Sequence, residues 1–511
     1  MSVFLNKLQK IKKAIWQRRP ILGDIMKGHG QMSLYDYSED FLDVNKSPIL
    51  DARKGEIISV VEELLKKRLG KDVAEDVSRQ LEHLPLVSTA DHHSPIQHPF
   101  WVNANIISGL PYIEKNDPLL KYLIVFSFAS VSINNASGYA RGLMFHDQEN
   151  SGKIINLPIF PDKNKMSVVY GARAFDRADI NKTEEQLNKK AKDNVISVDR
   201  AEQIKFVIEK YFATEEVLKS ESVKEQITKI NFKMWPDLFH RGAQESLEVV
   251  SKYPVPDLIY LEIETLVSDL LIKYHLFNKE SLIHKFLFDP KYQELIPSIF
   301  NNIPGAFSLE NDWGTYLFWA LDDKQHRVRM FLSEGELHST YRRHTCKFSP
   351  EGIKQSLEKK EIFPSMLLCY LLVSLYYGFK CLGGFCQVND LTLTKLAWQK
   401  LLDKVGEHKE SEAVQPIQTR ELCGDGMVLA YLRSESGDIQ PATGIDMILR
   451  RQNTFFDKYY ERSKQVALEE MMDPMLPEMY TVLYTQEQRD PALMELTVQS
   501  IVKELNLKDK I

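Results

Sequence analysis

The sequence predicts an α/β protein built on a buried parallel sheet with large α-helical additions. Two apolar runs, residues 84–87 and 120–132, carry no helical period. They read as strands buried on both faces, the pattern of a parallel sheet. Each run ends in a polar loop of small and ionisable residues, 89–98 after the first and 132–142 after the second. Much of the remaining chain has the periodicity and charge mixture of helices.

Taken in order, residues 1–20 form a basic amphipathic helix without a small-residue cleavage site, so this stretch is no secretory signal. Ile57, Ile58, Val61, Leu64, Leu65 and Leu69 recur at helical spacing, and Gly70 stops that helix. A second short helix covers 72–81, and a further one begins at Pro99. Strands are expected at 143–146 and 154–160. Residues 176–230 are rich in Glu and Lys and predict a solvated helical pair or coiled-coil arm. The run 258–263 fits strand or helix equally, while 264–276 favours helix. A hairpin is expected over 314–332 around Asp322 and Asp323, and a buried core helix over 363–379. Asn389 or Asp390 would cap a helix near Leu391, 407–418 reads as a linker, and 436–438 as a turn. The resulting divisions are 1–80 (helical), 81–175 (first part of the core), 176–300 (helical arm or insertion), 301–402 (second part of the core) and 403–511 (helical).

Composition narrows the function classes. In a chain of 511 residues, 43% are hydrophobic and 27% charged, the balance of a water-soluble globular protein. A net charge of −6 lacks the basic surplus of a nucleic-acid binder. The run 363–379 falls short of a membrane span and holds Pro364 near its start. Five cysteines without CxxC spacing predict reduced thiols and a cytoplasmic protein. The charged helices offer a surface for homo-oligomerisation.

The first polar loop concentrates chemistry: Asp91, His92, His93 and His98, followed by Asn103 and Asn105. Histidine titrates near neutral pH and serves as base or metal ligand. The second loop offers Asn134, Asn135 and Arg141, which suit anion recognition. Ligands in open α/β sheets bind outside the carboxyl ends of strands, which joins the two loops into one expected cleft. Gly383, Gly384 and Gln387 form a third candidate wall at a glycine-rich junction. A structural reading competes throughout, since His, Asn and Gly also satisfy loop carbonyls and tight turns. GxxxxGK[ST], GxGxxG and GxSxG are all absent. His146 is the nearest later candidate for a metal ligand and brings no second ligand cluster with it, so the sequence assigns no metal site and names no cofactor.

Two resemblances rest on these residues. Asp91-His92-His93 after a strand is similar to the DHH phosphoesterase family, although no DxD element precedes it. Thr89-Ala90-Asp91-His92-His93, His98-Pro99-Phe100 and Gly383-Gly384-Phe385-Cys386-Gln387 resemble, in their order, elements of the bacillithiol-pathway cysteine-adding enzymes. That family carries Thr-Gly-Gln-Gln, Gly-Pro-Leu and Gly-Gly-Pro-Gly-Glu at these places, and an acidic Glu-Asp-His-Asp motif where this chain has Ser-Ile-Asn-Asn. The resemblance spans residues 84–142 and 362–402. It implies a Rossmann-like core with a helical arm, and condensation of an amine with an activated acceptor.

The expected protein is therefore a small-molecule enzyme forming or cleaving a C–N bond on a polar metabolite. His92 or His93 would serve as base and Asp91 as its orienter. His98, Asn103, Asn105, Asn134, Asn135, Arg141, Gly383, Gly384 and Gln387 would bind substrate. The alternatives are a metal-dependent hydrolase or phosphoesterase and a non-catalytic helical assembly protein.

Overall fold

Four short strands set the frame: β1 (Leu86–Ser88), β2 (Tyr122–Ser127), β3 (Asp257–Glu262) and β4 (Lys380–Leu382). The computed structural model describes residues 3–44, 47–115, 117–147, 153–239, 253, 255–311, 313–433, 439–449 and 456–507. The strands lie in the order β4-β1-β2-β3, and all three neighbouring pairs are parallel. Side chains alternate across a strand, so one sheet feeds two cores. Val87, Ile124, Phe126, Ile259, Leu261 and Cys381 enter one core. Leu86, Leu123, Val125, Leu258, Tyr260 and Leu382 enter the other. Burial on both faces explains why these segments show no hydrophobic alternation in sequence.

Seven helices surround the sheet and position the site: α1 (Val3–Arg18), α2 (Lys54–Arg68), α3 (Lys71–His83), α4 (Pro99–Gly109), α5 (Val223–Asp237), α6 (Ile263–Leu270) and α7 (Gln387–Val405). Phe100, Val102 and Ile106 of α4 and Ile227 and Ile230 of α5 cover one face of the sheet. Val61 and Leu65 of α2, Val77 of α3 and Leu266 and Val267 of α6 cover the other. The chain winds β1 to β2 to β3 in one direction, with α4 and α5 in the crossovers. It then returns past β1 to lay down β4, with α6 on the opposite face. A reversal of direction with a single crossover handedness requires that change of face. The winding reverses between β1 and β4.

Several expectations change at tertiary level. The charged segment 176–230 is no projecting arm. Ile180, Leu187, Ile204 and Ile227 are buried in the main core, and α5 packs directly on β3. Its Glu and Lys residues are the solvated side of helices that lie on the body. Residues 258–263 resolve mainly as strand, because pairing along the length of β2 decides what periodicity left open. The expected linker 407–418 contains a helix, His408–Val414, packed on α7. The expected core helix begins later, since Ile362–Pro364 pairs with Phe318–Leu321 before helix Met366–Tyr370 and a wide π-type turn, Leu371–Tyr376. The 314–332 hairpin appears as Phe318–Leu321 against Arg327–Arg329. α1 lies on its own protein. Leu8, Ile11 and Ile15 are buried, and Lys12 pairs with Glu469 and with Asp473 at 2.8 Å. The turn expected at 436–438 falls outside the described residues. No helix among the described residues is long and apolar enough to cross a membrane.

Candidate functional site

β1 and β2 continue to pair beyond their ends, and this brings their loops together. The Phe128 N–H donates to the Asp91 carbonyl at 2.9 Å, and the His93 N–H donates to the Phe128 carbonyl at 2.8 Å. On the other side of β1, the Thr89 N–H donates to the Leu382 carbonyl at 2.9 Å, and the Gln387 amide donates to the Thr89 hydroxyl. Beyond these strand ends lies a cavity of about 390 Å³. Thr89, Ala90 and His92 from the β1 loop and Gly384, Cys386 and Gln387 from the β4–α7 turn line it. It therefore sits where the winding reverses, the position at which open α/β sheets bind ligands.

His92 is the histidine of the first loop that reaches the cavity. Its Nδ1 meets Asn135 Oδ1 at 3.2 Å, and the Ser137 N–H also donates to that oxygen at 2.9 Å. An amide oxygen only accepts, so His92 Nδ1 carries the proton and Nε2 holds the lone pair. Burial pushes the imidazole pKa down to about 4, against the stabilising bond from Asn135. The ring is neutral at physiological pH and rests edge-on against Trp101, with centroids 5.2 Å apart.

The other expected residues of the first loop and of α4 take structural places. His93 is fully buried between Ser127 Oγ (2.7 Å) and the Lys224 carbonyl (3.0 Å), and both ring nitrogens are occupied. His98 caps α4 by accepting the Phe100 N–H at Nδ1. Asp91 does not orient His92. It is buried beneath the loop, where Tyr260 and Asn105 donate to its Oδ2, and its Oδ1 has no partner among the described residues. Burial raises Asp91 to about 7, opposed by those two bonds. Asn103 accepts the N–H groups of Leu429 and Ala430, and Asn105 also donates to the Trp101 carbonyl. Arg141 is spent on Asp162, the Phe160 carbonyl and Asn134 Oδ1, so neither Arg141 nor Asn134 lines the cavity. His146 pairs with Asp446 at 2.6 Å. Asn135 alone of the second loop serves the cleft, through His92.

At the third wall, Gly383 and Gly384 hold the backbone close to its neighbours. A Cβ on Gly384 would stand 2.5 Å from that of Asp425. Asn389 and Asp390 are not caps, because α7 starts earlier, with Cys386 in the N-cap position. Burial pushes the Cys386 thiol up to about 12 although Arg19 Nη2 lies 3.5 Å from its sulfur, so it stays protonated. All five cysteines are free thiols.

Two carboxyl groups that the sequence did not assign to the site line the cavity, Asp390 and Asp425. Burial raises Asp390 to about 6, with Arg19 opposing. Burial raises Asp425 to about 8, reinforced by the negative fields of Glu478 and Asp91. Asp425 sits between Gly424 (φ +140°) and Gly426 (φ +99°), backbone values that side-chain-bearing residues rarely adopt. That Gly-Asp-Gly triplet was the available signal. Arg327, Trp319 and Trp313 reach the mouth from the β-rich segment 307–347, with the guanidinium 4.8 Å over the Trp319 ring.

The Asp425 carboxyl gives a direct stability test. Its folded pKa is raised, so the unfolded chain ionises first, near pH 4, and the folded state loses ground until about pH 8. Asp425→Asn removes that cost. The expected gain is several kcal/mol at pH 8 and close to none at pH 4, read by urea denaturation. An equal gain at both pH values would contradict a protonated Asp425.

Among the described residues, no group of three or more His, Cys, Asp or Glu side chains is placed to hold a metal ion. Compared with known proteins, the chain matches no family model and no curated sequence.

Proposed function

We propose that the chain is an enzyme that forms or cleaves a C–N bond on a small polar metabolite by general acid–base chemistry in the β1/β4 cleft. One observation carries this reading. His92, a neutral imidazole with a free Nε2, and Asp425, a carboxyl that keeps its proton, line the same cavity at the reversal of the sheet. In the joining direction an amine nitrogen attacks the acceptor carbon, and His92 Nε2 takes the N–H proton. As the bond to the leaving group breaks, Asp425 delivers its proton there. Cleavage runs the same steps backwards. The strand order β4-β1-β2-β3 supports a Rossmann-like core, the fold that the resemblance to cysteine-adding enzymes implies.

The alternatives find less support. A metal-dependent hydrolase would need the histidines of the first loop to converge, yet both nitrogens of His93 and Nδ1 of His98 are occupied. An assembly protein would have a strand-end cleft filled with side chains, whereas this one is open. Native mass spectrometry of the protein mixed with a metabolite extract tests the assignment. The wild type is expected to retain a small polar metabolite that Ala90→Trp and Ser130→Trp, which fill the cavity, release. Unchanged retention in both folded variants would place the site elsewhere.

A further inference from the structure

The β4–α7 wall carries hydrogen-bond donors that none of the described residues uses. The Val388 N–H bonds back to the Gly384 carbonyl (3.1 Å), and those of Asn389 and Asp390 bond to the Cys386 carbonyl (3.2 and 3.1 Å). The Phe385 N–H reaches the Asp425 carbonyl at 3.3 Å. The N–H groups of Gly384, Cys386 and Gln387 meet no acceptor among the described residues, and all three residues line the cavity. A separate donor stands on the α4 wall. Trp101 is 2% exposed, lines the same cavity, and its indole N–H has no partner. Leaving a buried donor unsatisfied costs about 1–3 kcal/mol, which a bound acceptor relieves.

Positive charge gathers around these donors. α7 runs for 19 residues and places the positive end of its dipole at this turn. Arg19 lies against Cys386 and has no carboxylate within ion-pair distance among the described residues. Arg327 at the mouth donates to the Ser130 carbonyl at 3.4 Å and likewise has no such carboxylate. Asp390 and Asp425 are the groups that oppose an anion. Burial keeps Asp425 protonated near neutral pH, whereas Asp390, raised to about 6, is largely ionised there and is countered by Arg19. Four unused donors at a helix N-terminus suit a phosphate monoester, which brings three terminal oxygens and a higher charge than a carboxylate.

We propose that the first turn of α7 is a phosphoryl-binding subsite of this cleft, formed by the N–H groups of Gly384, Cys386 and Gln387 with the Trp101 indole, and that the substrate is a phosphorylated metabolite. The proposal rests on reading the cleft as the substrate site and adds the class of substrate. Its test uses the full chain with inorganic phosphate, titrated by calorimetry, and acetate as the comparison anion. Saturable phosphate binding is expected, with acetate far weaker. Trp101→Phe keeps the ring and removes the donor, and should weaken phosphate about tenfold. Cys386 has φ −79°, which proline tolerates, so Cys386→Pro removes one N–H. It should weaken binding by a similar factor. No saturable phosphate binding, or binding indifferent to both donor-removing variants, overturns the subsite and leaves the metabolite-retention result standing. Acetate binding as tight as phosphate overturns the phosphoryl assignment in favour of carboxylates.

Discussion

Arg68→Met is expected to lower folding stability by about 3–5 kcal/mol. Arg68 in α2 and Glu262 at the end of β3 form a two-pronged pair at 2.6 and 2.7 Å, with side chains 5% and 0% exposed. Lys224 Nζ stands 3.4 Å from the same carboxylate, and His93 Nε2 stands 3.9 Å away. Removing Arg68 leaves a buried carboxylate with a weaker partner. Glu262→Gln leaves two buried cations, so its cost should be of the same order. Burial opposes the charge of Glu262, but Arg68 and Lys224 hold its pKa well below the usual carboxylate range. Because the folded pKa is depressed, the group adds stability above about pH 4, and that stability is lost as pH falls further. Urea denaturation of wild type and variant at pH 7 and pH 3 reads both effects. A loss below about 1 kcal/mol at pH 7 would mean that the pair is not isolated from water. The cluster also anchors His93, so its loss should loosen the loop that carries His92.

His92→Ala is expected to reduce turnover about 10²–10⁴-fold, the range that general-base residues contribute, while the fold is retained. The ring is held by one polar bond to Asn135 and by its edge contact with Trp101, and neither closes a buried network. Wild-type activity should follow a bell with limbs near pH 4 and pH 8. On the acid limb His92 takes up its proton, and above about 8 Asp425 loses the one it delivers. Asn135→Ala frees the tautomer and should lower kcat more than it raises KM. These rates are to be measured on the metabolite that native mass spectrometry identifies. A His92→Ala enzyme with wild-type turnover would remove the base from this mechanism.

The strand-end cleft was legible in the sequence because its walls are local. An apolar run that ends in a polar, glycine-bearing loop signals where a buried strand meets solvent. Residues 89–92 and 383–387 both lie at that boundary. The roles within the walls were not legible. His92 and His93 are neighbours in sequence, yet successive side chains leave the chain on opposite sides. One lines the cavity and the other enters the buried ionic cluster. Asp91 beside His92 invites pairing, but its bonds come from Tyr260 and Asn105. The charged helices misled for a similar reason. A high density of Glu and Lys describes the outer side of a helix and leaves unstated what its apolar side covers.

By itself the sequence determined that two apolar runs are buried strands of a parallel sheet and that their loops concentrate polar side chains. These follow from burial and chain geometry over a few residues. Only the tertiary structure decided which of those side chains remains free for chemistry. Polar groups inside a protein must find partners, and here the partners come from far along the chain. Asn135 lies 43 residues from His92, Tyr260 169 from Asp91, and Asp446 300 from His146. His92 Nε2, Asp425 and the open turn of α7 stand out because folding left them unspent.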